Sequence, residues 1–127
     1  MLESRHSDLT QKIIGCAIKV HKYFGLGFRE EIYARSLLIE LEEQAISCQT
    51  QLVRQIFYEE HWVGQSRVDI LVEGKVLVEL KARSELTPDC YSQVLNYLKI
   101  YEIEVGLLFN FGSRSLQMKR FVGPRSD

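Results

Sequence analysis

Two short runs, residues 68–72 and 76–80, are apolar at nearly every position, yet acidic side chains stand inside them. Apolarity at every position, instead of every second one, is typical of central strands covered on both faces of a sheet. Asp69 and Glu79 lie within the two runs, and Lys81 directly follows the second. An ionised side chain in such surroundings costs free energy unless it is paired or binds a cation. The runs therefore predict a sheet covered on both faces, with a functional site at the charged residues.

The loop between the two runs decides which way the acidic side chains face. A three-residue loop over residues 73–75 sets Asp69 opposite Glu79, with their β-carbons ~5 Å apart. A loop shifted one residue earlier keeps both on one face, whereas a two-residue loop without a bulge puts them on opposite faces. Gly74 favours an odd-length loop with a left-handed residue. Two carboxylates so close repel each other, and a divalent cation such as Mg²⁺ or Mn²⁺ relieves the repulsion.

The same charges also fit a simpler interpretation, in which the hairpin is amphipathic and lies at the surface. Glu79 and Lys81 are two residues apart, so they project from the same face and can form a local ion pair. Short strings of this kind arise by chance, and spacing alone leaves both interpretations open.

The rest of the chain alternates between helical and extended patterns, and the third helix has the clearest start, with Thr87 as N-cap and Pro88 at the first helical position. The predicted order ααβββαββ describes one α+β domain over residues 1–127, with an α/β-type core and helices packed on the sheet. Before the two apolar strands, the chain is predicted to form a helix capped by Ser7 or Asp8 and ended by the glycines at 25 and 27, and then a helix with an apolar stripe from Tyr33 to Ala45. An extended segment over 48–60 and a turn over 61–64 follow. After the two apolar strands, the third helix ends near Tyr101, and two strands follow over 105–111 and 116–122.

Composition excludes several classes of protein. With 46% hydrophobic and 26% charged residues, the chain is typical of a globular domain, and no run of ~18 apolar residues predicts a membrane span. A net charge of −1 disfavours a protein whose main task is to coat nucleic acid. Three scattered cysteines without a CxxC pair argue against a disulfide scaffold or a zinc site. Together with the absence of an apolar signal segment in residues 1–11, they predict a reducing, cytoplasmic location.

Four motifs, in this order, resemble those of the PD-(D/E)XK nuclease superfamily over roughly residues 8–122. Residues 27–33 (GFREEIY) match the GxxExxY pattern that names one of its families. Asp69, followed ten residues later by Glu79-Leu80-Lys81, is similar to the motif that names the superfamily, with Val68 in place of proline. Gln93 and Tyr97 resemble the QxxxY helix of the recombination-exonuclease branch of the superfamily, and residues 106–112 (GLLFNFG) resemble the GLLxNFG strand of the GxxExxY family.

This resemblance implies a restriction-endonuclease-like mixed β-sheet flanked by helices, and a metal-dependent phosphodiesterase that acts on DNA. It implies a Mg²⁺ or Mn²⁺ site formed by Glu30, Asp69 and Glu79, with the Leu80 carbonyl as a further oxygen ligand. Lys81 would orient or deprotonate the attacking water, or stabilise the charge that develops on the phosphate. The position of Glu30 agrees, because it lies at the inward-facing end of the apolar stripe of its helix.

Several further residues are candidates for contact with the substrate. Gln93 would orient a metal-bound water or contact a phosphate, although Gln93 and Tyr97 equally fit a helix face that rests on the sheet. Three basic residues without intervening acids near the C-terminus, Arg114, Lys119 and Arg120, are predicted to meet a phosphate backbone, with a solvated strand edge as the alternative. So small a chain is expected to act as a homodimer or within a larger assembly. The alternative function is a non-catalytic module that binds nucleic acid or protein.

Overall fold

The structure, a computed structural model, describes residues 5–123. Its elements follow the predicted order ααβββαββ, so the α+β class and the mixed sheet are confirmed. The elements are the helices α1 (Ser7–Phe24) and α2 (Glu30–Glu43), the strands β1 (Cys48–Tyr58), β2 (His61–Val72) and β3 (Val76–Lys81), the helix α3 (Pro88–Tyr101), and the strands β4 (Val105–Asn110) and β5 (Gln117–Val122). None of these helices is both long enough and apolar enough to cross a membrane.

Within the described residues, the five strands form one sheet in the order β1-β2-β3-β4-β5. Only β3 and β4 run parallel, and α3 makes the crossover between them. Helices α1 and α2 pack with one face of the sheet and α3 with the other. Every residue of β4 is buried, and every residue of β3 except Lys81 is buried. Cover on both faces is the physical reason for the apolar runs in the sequence.

Tyr33 ties the start of α2 to the sheet. Its ring is fully buried and stacks on Phe111, with 4.6 Å between the ring centroids. Its hydroxyl donates to the Gly25 carbonyl at 2.6 Å and accepts from the Phe28 amide at 3.2 Å. These contacts hold both the loop before α2 and its first turn, and they thereby place Glu30.

Two local predictions are wrong. Helix α1 begins at Ser7 itself, so neither Ser7 nor Asp8 is the N-cap; His6 takes that position in a left-handed conformation and makes no side-chain capping bond. Residues 61–64 are not a turn but the start of β2, and the turn lies at residues 59–60. Gly64 suggested a turn, but it lies in a strand opposite Ile56, next to a register irregularity that a glycine accommodates.

The β2–β3 hairpin has the odd-length loop that Gly74 favours. Val72 pairs with Val76 across residues 73–75, and Gly74 is left-handed with φ of 65°. Pairing between the two strands ends at Ile70 and Val78. Beyond that pair β2 stays bonded only to β1, so the sheet splits next to Asp69 and at the end of β3.

Candidate active site

Asp69 and Glu79 face each other where β2 and β3 separate. The Asp69 amide donates to Glu79 Oε1 at 3.1 Å, and the Leu80 amide donates to Asp69 Oδ2 at 3.3 Å. Each carboxylate thus accepts a hydrogen bond from a backbone amide just beyond the last pair of β2 and β3, where a carbonyl of the neighbouring strand would otherwise accept it. The second oxygens, Asp69 Oδ1 and Glu79 Oε2, accept no hydrogen bond from the part of the chain that the structure describes. Two carboxylates are therefore held together, each with one oxygen left for another ligand.

Burial makes ionisation of this pair costly. Glu79 is only 5% exposed, and its burial, followed by the neighbouring charge of Asp69, raises its pKa to about 8. Burial also raises the pKa of Asp69, although the Leu80 amide and the charge of Lys81 oppose the change. A positive charge placed at the pair would reverse the cost, because it favours the ionised forms.

Glu30 stands across a cleft from this pair, on the first residue of α2. The cleft, about 590 Å³ in volume, lies between α2 and the strands β1 and β2 and is lined in part by Glu30 and Asp69. Loss of hydration and the charge of Asp69 raise the pKa of Glu30, while the charges of Lys81 and Arg83 act in the opposite direction. The three predicted carboxylates are therefore close enough for the charge of one to shift the pKa of another. Among residues 5–123, no three His, Cys, Asp or Glu side chains are placed to hold a metal ion, and a metal site shared by these three acids stays a prediction.

Lys81 ends β3 and is half-buried beside these acids. It helps to line a smaller cleft of about 140 Å³ between the end of β3 and the start of α3, together with Arg83 and Gln93. Tyr97 lies one turn after Gln93, and burial and the charges of Glu79 and Asp69 raise its pKa. Both residues of the QxxxY pattern thus lie beside the site. Leu80 is fully buried, its amide binds Asp69, and its carbonyl remains a predicted ligand.

The three basic residues near the C-terminus do not form one surface. Lys119 lies over the Tyr91 ring on the α3 side of the sheet, 5.1 Å from the ring centroid. Arg120 points to the other side, where it donates to Thr10 Oγ1 at 3.1 Å and to the Arg5 carbonyl at 2.5 Å. Neighbouring strand residues alternate between faces, which separates these two side chains. Arg114 is exposed in the β4–β5 loop, and phosphate contact by these residues stays a prediction.

Asn110 is a functional candidate whose role the sequence motifs do not indicate. It is fully buried at the end of β4, where its Oδ1 accepts from the amides of Arg83 at 2.9 Å and Gly112 at 3.1 Å. Its Nδ2 donates to the Arg83 carbonyl at 2.9 Å and to Gln117 Oε1 at 2.8 Å. Asn110 therefore holds the backbone of Arg83, two residues after Lys81, through two hydrogen bonds. The sequence feature that marks Asn110 is a polar side chain inside an otherwise apolar strand, as it is for Asp69.

Stability of the metal-free protein should fall as pH rises from about 4.5 to 8. Glu79 has a folded-state pKa of about 8 against an ordinary 4.5, so in this range the folded chain binds more protons than the unfolded chain. Glu79→Gln should consequently melt near the wild-type temperature at pH 5 and above it at pH 8. Glu73→Gln, at an exposed carboxyl of the same hairpin whose pKa is lowered by hydrogen bonds from Ser47, is the control and should keep the wild-type decline. Parallel profiles for wild type and Glu79→Gln in thermal melts with a chelator would contradict the assignment.

Comparisons with known proteins concern the family and the fold of the chain. A sequence model of the PD-(D/E)XK nuclease superfamily matches residues 7–121. The crystal structure of SSO0001 superimposes with a TM-score of 0.62 at 17% identity, over 76% of this chain. The chain spans about half of SSO0001, 52% of its length, and at this identity the likeness concerns the fold alone. No curated protein sequence matches the chain at a significant level.

Proposed function

The chain belongs to the PD-(D/E)XK nuclease superfamily and has a restriction-endonuclease-like fold, and from this premise we propose that it is a divalent-metal-dependent nuclease that cleaves DNA. The observation that carries the proposal is the Asp69–Glu79 pair at the split between β2 and β3, with Lys81 at the end of β3 beside it. The GFREEIY segment of residues 27–33 supports membership of the GxxExxY family.

The donor chemistry suits Mg²⁺ or Mn²⁺. Asp69 and Glu79 each keep one oxygen without a hydrogen bond from the described residues, and Glu30 stands on the facing wall of the cleft. All-oxygen donors are those that these ions prefer, and both usually keep several waters. Asp69 and Glu79 would therefore hold the ion directly, with Glu30 and the Leu80 carbonyl as further ligands. The bound ion would lower the pKa of a water and offset charge on the phosphate.

The side chains have distinct tasks in phosphodiester hydrolysis. A water oxygen attacks phosphorus, the bond to one sugar oxygen breaks, and that oxygen leaves with a proton. Lys81 Nζ either orients or deprotonates the water, or stabilises the negative charge that develops on the phosphate. Gln93, on the facing helix, orients a water or contacts a phosphate oxygen. Asn110 touches no reacting atom but holds the backbone that follows Lys81, and is a positioning residue.

The partners follow from the same site. We propose DNA as the substrate and either a homodimer or a larger assembly as the working form, because one small domain leaves little surface for recognition.

The three cysteines, Cys16, Cys48 and Cys90, are free, which supports the cytoplasmic location predicted from the sequence. Residues 1–127 are proposed to be a single nuclease domain.

A cleavage assay with a melting experiment tests this function. Wild type and Asp69→Asn are incubated with single-stranded DNA, duplex DNA and RNA, with Mg²⁺, with Mn²⁺ or with a chelator. We expect wild type to cleave DNA only with metal, and Asp69→Asn to be inactive. Metal should also raise the melting temperature of wild type more than that of Asp69→Asn, since a cation that binds only the folded state stabilises it.

Three results would contradict the proposal. Cleavage of RNA alone would refute the DNA substrate. Equal thermal shifts in both proteins would show that the metal binds elsewhere. No cleavage by wild type of any nucleic acid would favour the alternative, a binding module that keeps the nuclease fold.

A further inference from the structure

A two-stranded ribbon leaves the sheet beside the candidate active site. β2 pairs with β3 only from Ile70 to Val72, whereas it pairs with β1 along its length, down to Tyr58 and His61. At ~3.4 Å per residue, residues 52–58 carry the ribbon roughly 20 Å from the split. Tyr101 of α3 braces its base, because its hydroxyl donates to the Leu52 carbonyl at 2.7 Å.

The two faces of the ribbon differ in what they contact. One face turns toward α3, with the Arg54 guanidinium 5.3 Å from the centroid of the Tyr101 ring and Ser66 hydrogen-bonded to the Tyr101 hydroxyl at 3.2 Å. Among residues 5–123, no hydrogen bond, ion pair or aromatic contact joins the side chains of the other face, here called the ribbon face, to a helix. The ribbon face consists of three cross-strand pairs, which are Val53 with Arg67, Gln55 with Gln65, and Phe57 with Trp62.

Hydrogen bonds between side chains show that Gln55, Gln65 and Trp62 share this face. Trp62 Nε1 donates to Gln55 Oε1 at 2.7 Å, and Gln55 Nε2 donates to Gln65 Oε1 at 3.3 Å. The two amides thereby link the indole at the tip to the middle of the ribbon. Three of the six side chains are thus linked by hydrogen bonds, although the face is largely exposed.

The ribbon face continues into the active-site cleft. The next position toward the sheet on the same face brings Gln51 alongside Asp69, and both line the cleft opposite Glu30. Gln51 is left-handed with φ of 51°, a conformation that a glutamine adopts at a cost. This kink interrupts the alternation of the strand, so that Thr50 and Gln51 both line the cleft. A ligand that enters the cleft at Asp69 therefore has a direct path along the ribbon face.

The chemistry of this path suits an unpaired nucleic-acid strand. None of its six residues is acidic; the acids of the hairpin, Glu59 and Glu60, lie in the turn beyond it. The face offers one guanidinium for a phosphate at Arg67, amides that donate and accept hydrogen bonds, and two exposed rings, Phe57 (58% exposed) and Trp62 (59% exposed). Bases stack on such rings when they are not already stacked in a duplex.

We propose that the ribbon face binds the single-stranded part of a DNA substrate as it leaves the cleft, with a base stacked on Trp62 and a phosphate bound by Arg67. This inference rests on the proposed function, because it extends the same site. It selects substrates with an unpaired strand, since a blunt duplex presents no free base to the ring.

Trp62 is the only tryptophan, so its fluorescence reports on this contact directly. Wild type with a chelator, which prevents metal-dependent cleavage, is titrated with a single strand, a duplex carrying a single-stranded overhang, and a blunt duplex. We expect quenching by the first two and little by the third. Equal quenching by the blunt duplex, or none by any DNA, would overturn the proposal.

Matched variants test the face itself by anisotropy of labelled single-stranded DNA. Trp62→Ala should weaken binding by about 5- to 150-fold, the range for loss of one stacked base. Tyr58→Ala removes another exposed aromatic ring, 68% exposed, from the same tip but from the opposite face, and should leave affinity unchanged. Equal effects of the two substitutions would refute a specific face. Far-ultraviolet circular dichroism checks that both variants fold.

Failure of the inference and failure of the nuclease proposal give different results. Quenching and a selective Trp62→Ala defect without cleavage under any condition would refute the nuclease and keep the ribbon face. Cleavage by Trp62→Ala with wild-type affinity and rate would refute the ribbon face and keep the nuclease. A wild-type dimer that Trp62→Ala dissociates without a change in DNA binding would assign the tip to a second copy of the chain and overturn the proposal.

Discussion

Lys81→Ala should lower the rate of DNA cleavage by about 10²–10³-fold, the usual effect of losing one charged contact to a transition state. Lys81 ends β3 beside the three acids, where its charge opposes the rise that burial causes in the pKa of Glu30, Asp69 and Glu79. Binding of DNA without metal should change little, because one phosphate contact is a small part of such an interface. Rates are measured in single-turnover cleavage and affinities by anisotropy.

Two comparison variants make this result specific. Lys75→Ala removes the same charge from the exposed loop at the opposite end of β3 and should leave cleavage unchanged. Glu79→Gln removes a ligand charge, so metal affinity and cleavage should fall together, whereas Lys81→Ala should bind metal at least as well as wild type. Unchanged cleavage by highly purified Lys81→Ala would point to a contaminating nuclease and would refute the proposed enzyme.

Gly112→Ala should be the most destabilising of the single changes considered, by about 3 kcal/mol or more. A methyl group at this position would collide with the backbone nitrogen and oxygen of Arg83 and with the carbonyl carbon of Ala82. Backbone atoms cannot move aside as a flexible side chain can, and Asn110 holds this segment with two hydrogen bonds to Arg83. Chemical denaturation measures the loss of stability.

The control is the same substitution where space is free. Gly15 lies within α1 with nothing within 4 Å of an added Cβ, so Gly15→Ala should stabilise the protein by up to ~1 kcal/mol through helix propensity. Because the segment displaced in Gly112→Ala follows Lys81 directly, the surviving folded protein should also cleave more slowly. If Gly112→Ala had wild-type stability and rate, the backbone of residues 82–83 would be able to move away from residue 112 without loss of stability or activity, and the prediction would be wrong.

Local chemistry allowed much of the fold to be predicted. Apolar residues at nearly every position of the runs 68–72 and 76–80 indicate cover on both faces, because a one-sided strand would alternate. Gly74 favoured the odd-length loop, and the structure has that loop and holds the Asp69 and Glu79 carboxylates together. Thr87 and Pro88 marked the start of α3, because proline lacks only an amide that the first helical turn leaves unpaired.

Other predictions failed where exposed side chains carry weak signals. The first residues of β2 lie on a ribbon with little apolar cover, so their pattern resembled a turn, and Gly64 strengthened that error. Lys119 and Arg120 are adjacent basic residues, yet the sheet sends them to opposite faces. The sequence shows such charges without showing which helix covers each face.

The sequence by itself determined the strand core, the hairpin loop and the identity of the charged residues, because these depend on neighbours a few positions away. Only the tertiary structure decided that β2 leaves β3 beside Asp69, that Glu30 stands across a cleft, and that Asn110 clamps a segment 27 positions earlier in the chain. Each of these depends on elements distant in sequence that pack together, and a side chain acquires its partners and its pKa only when that packing removes water from around it.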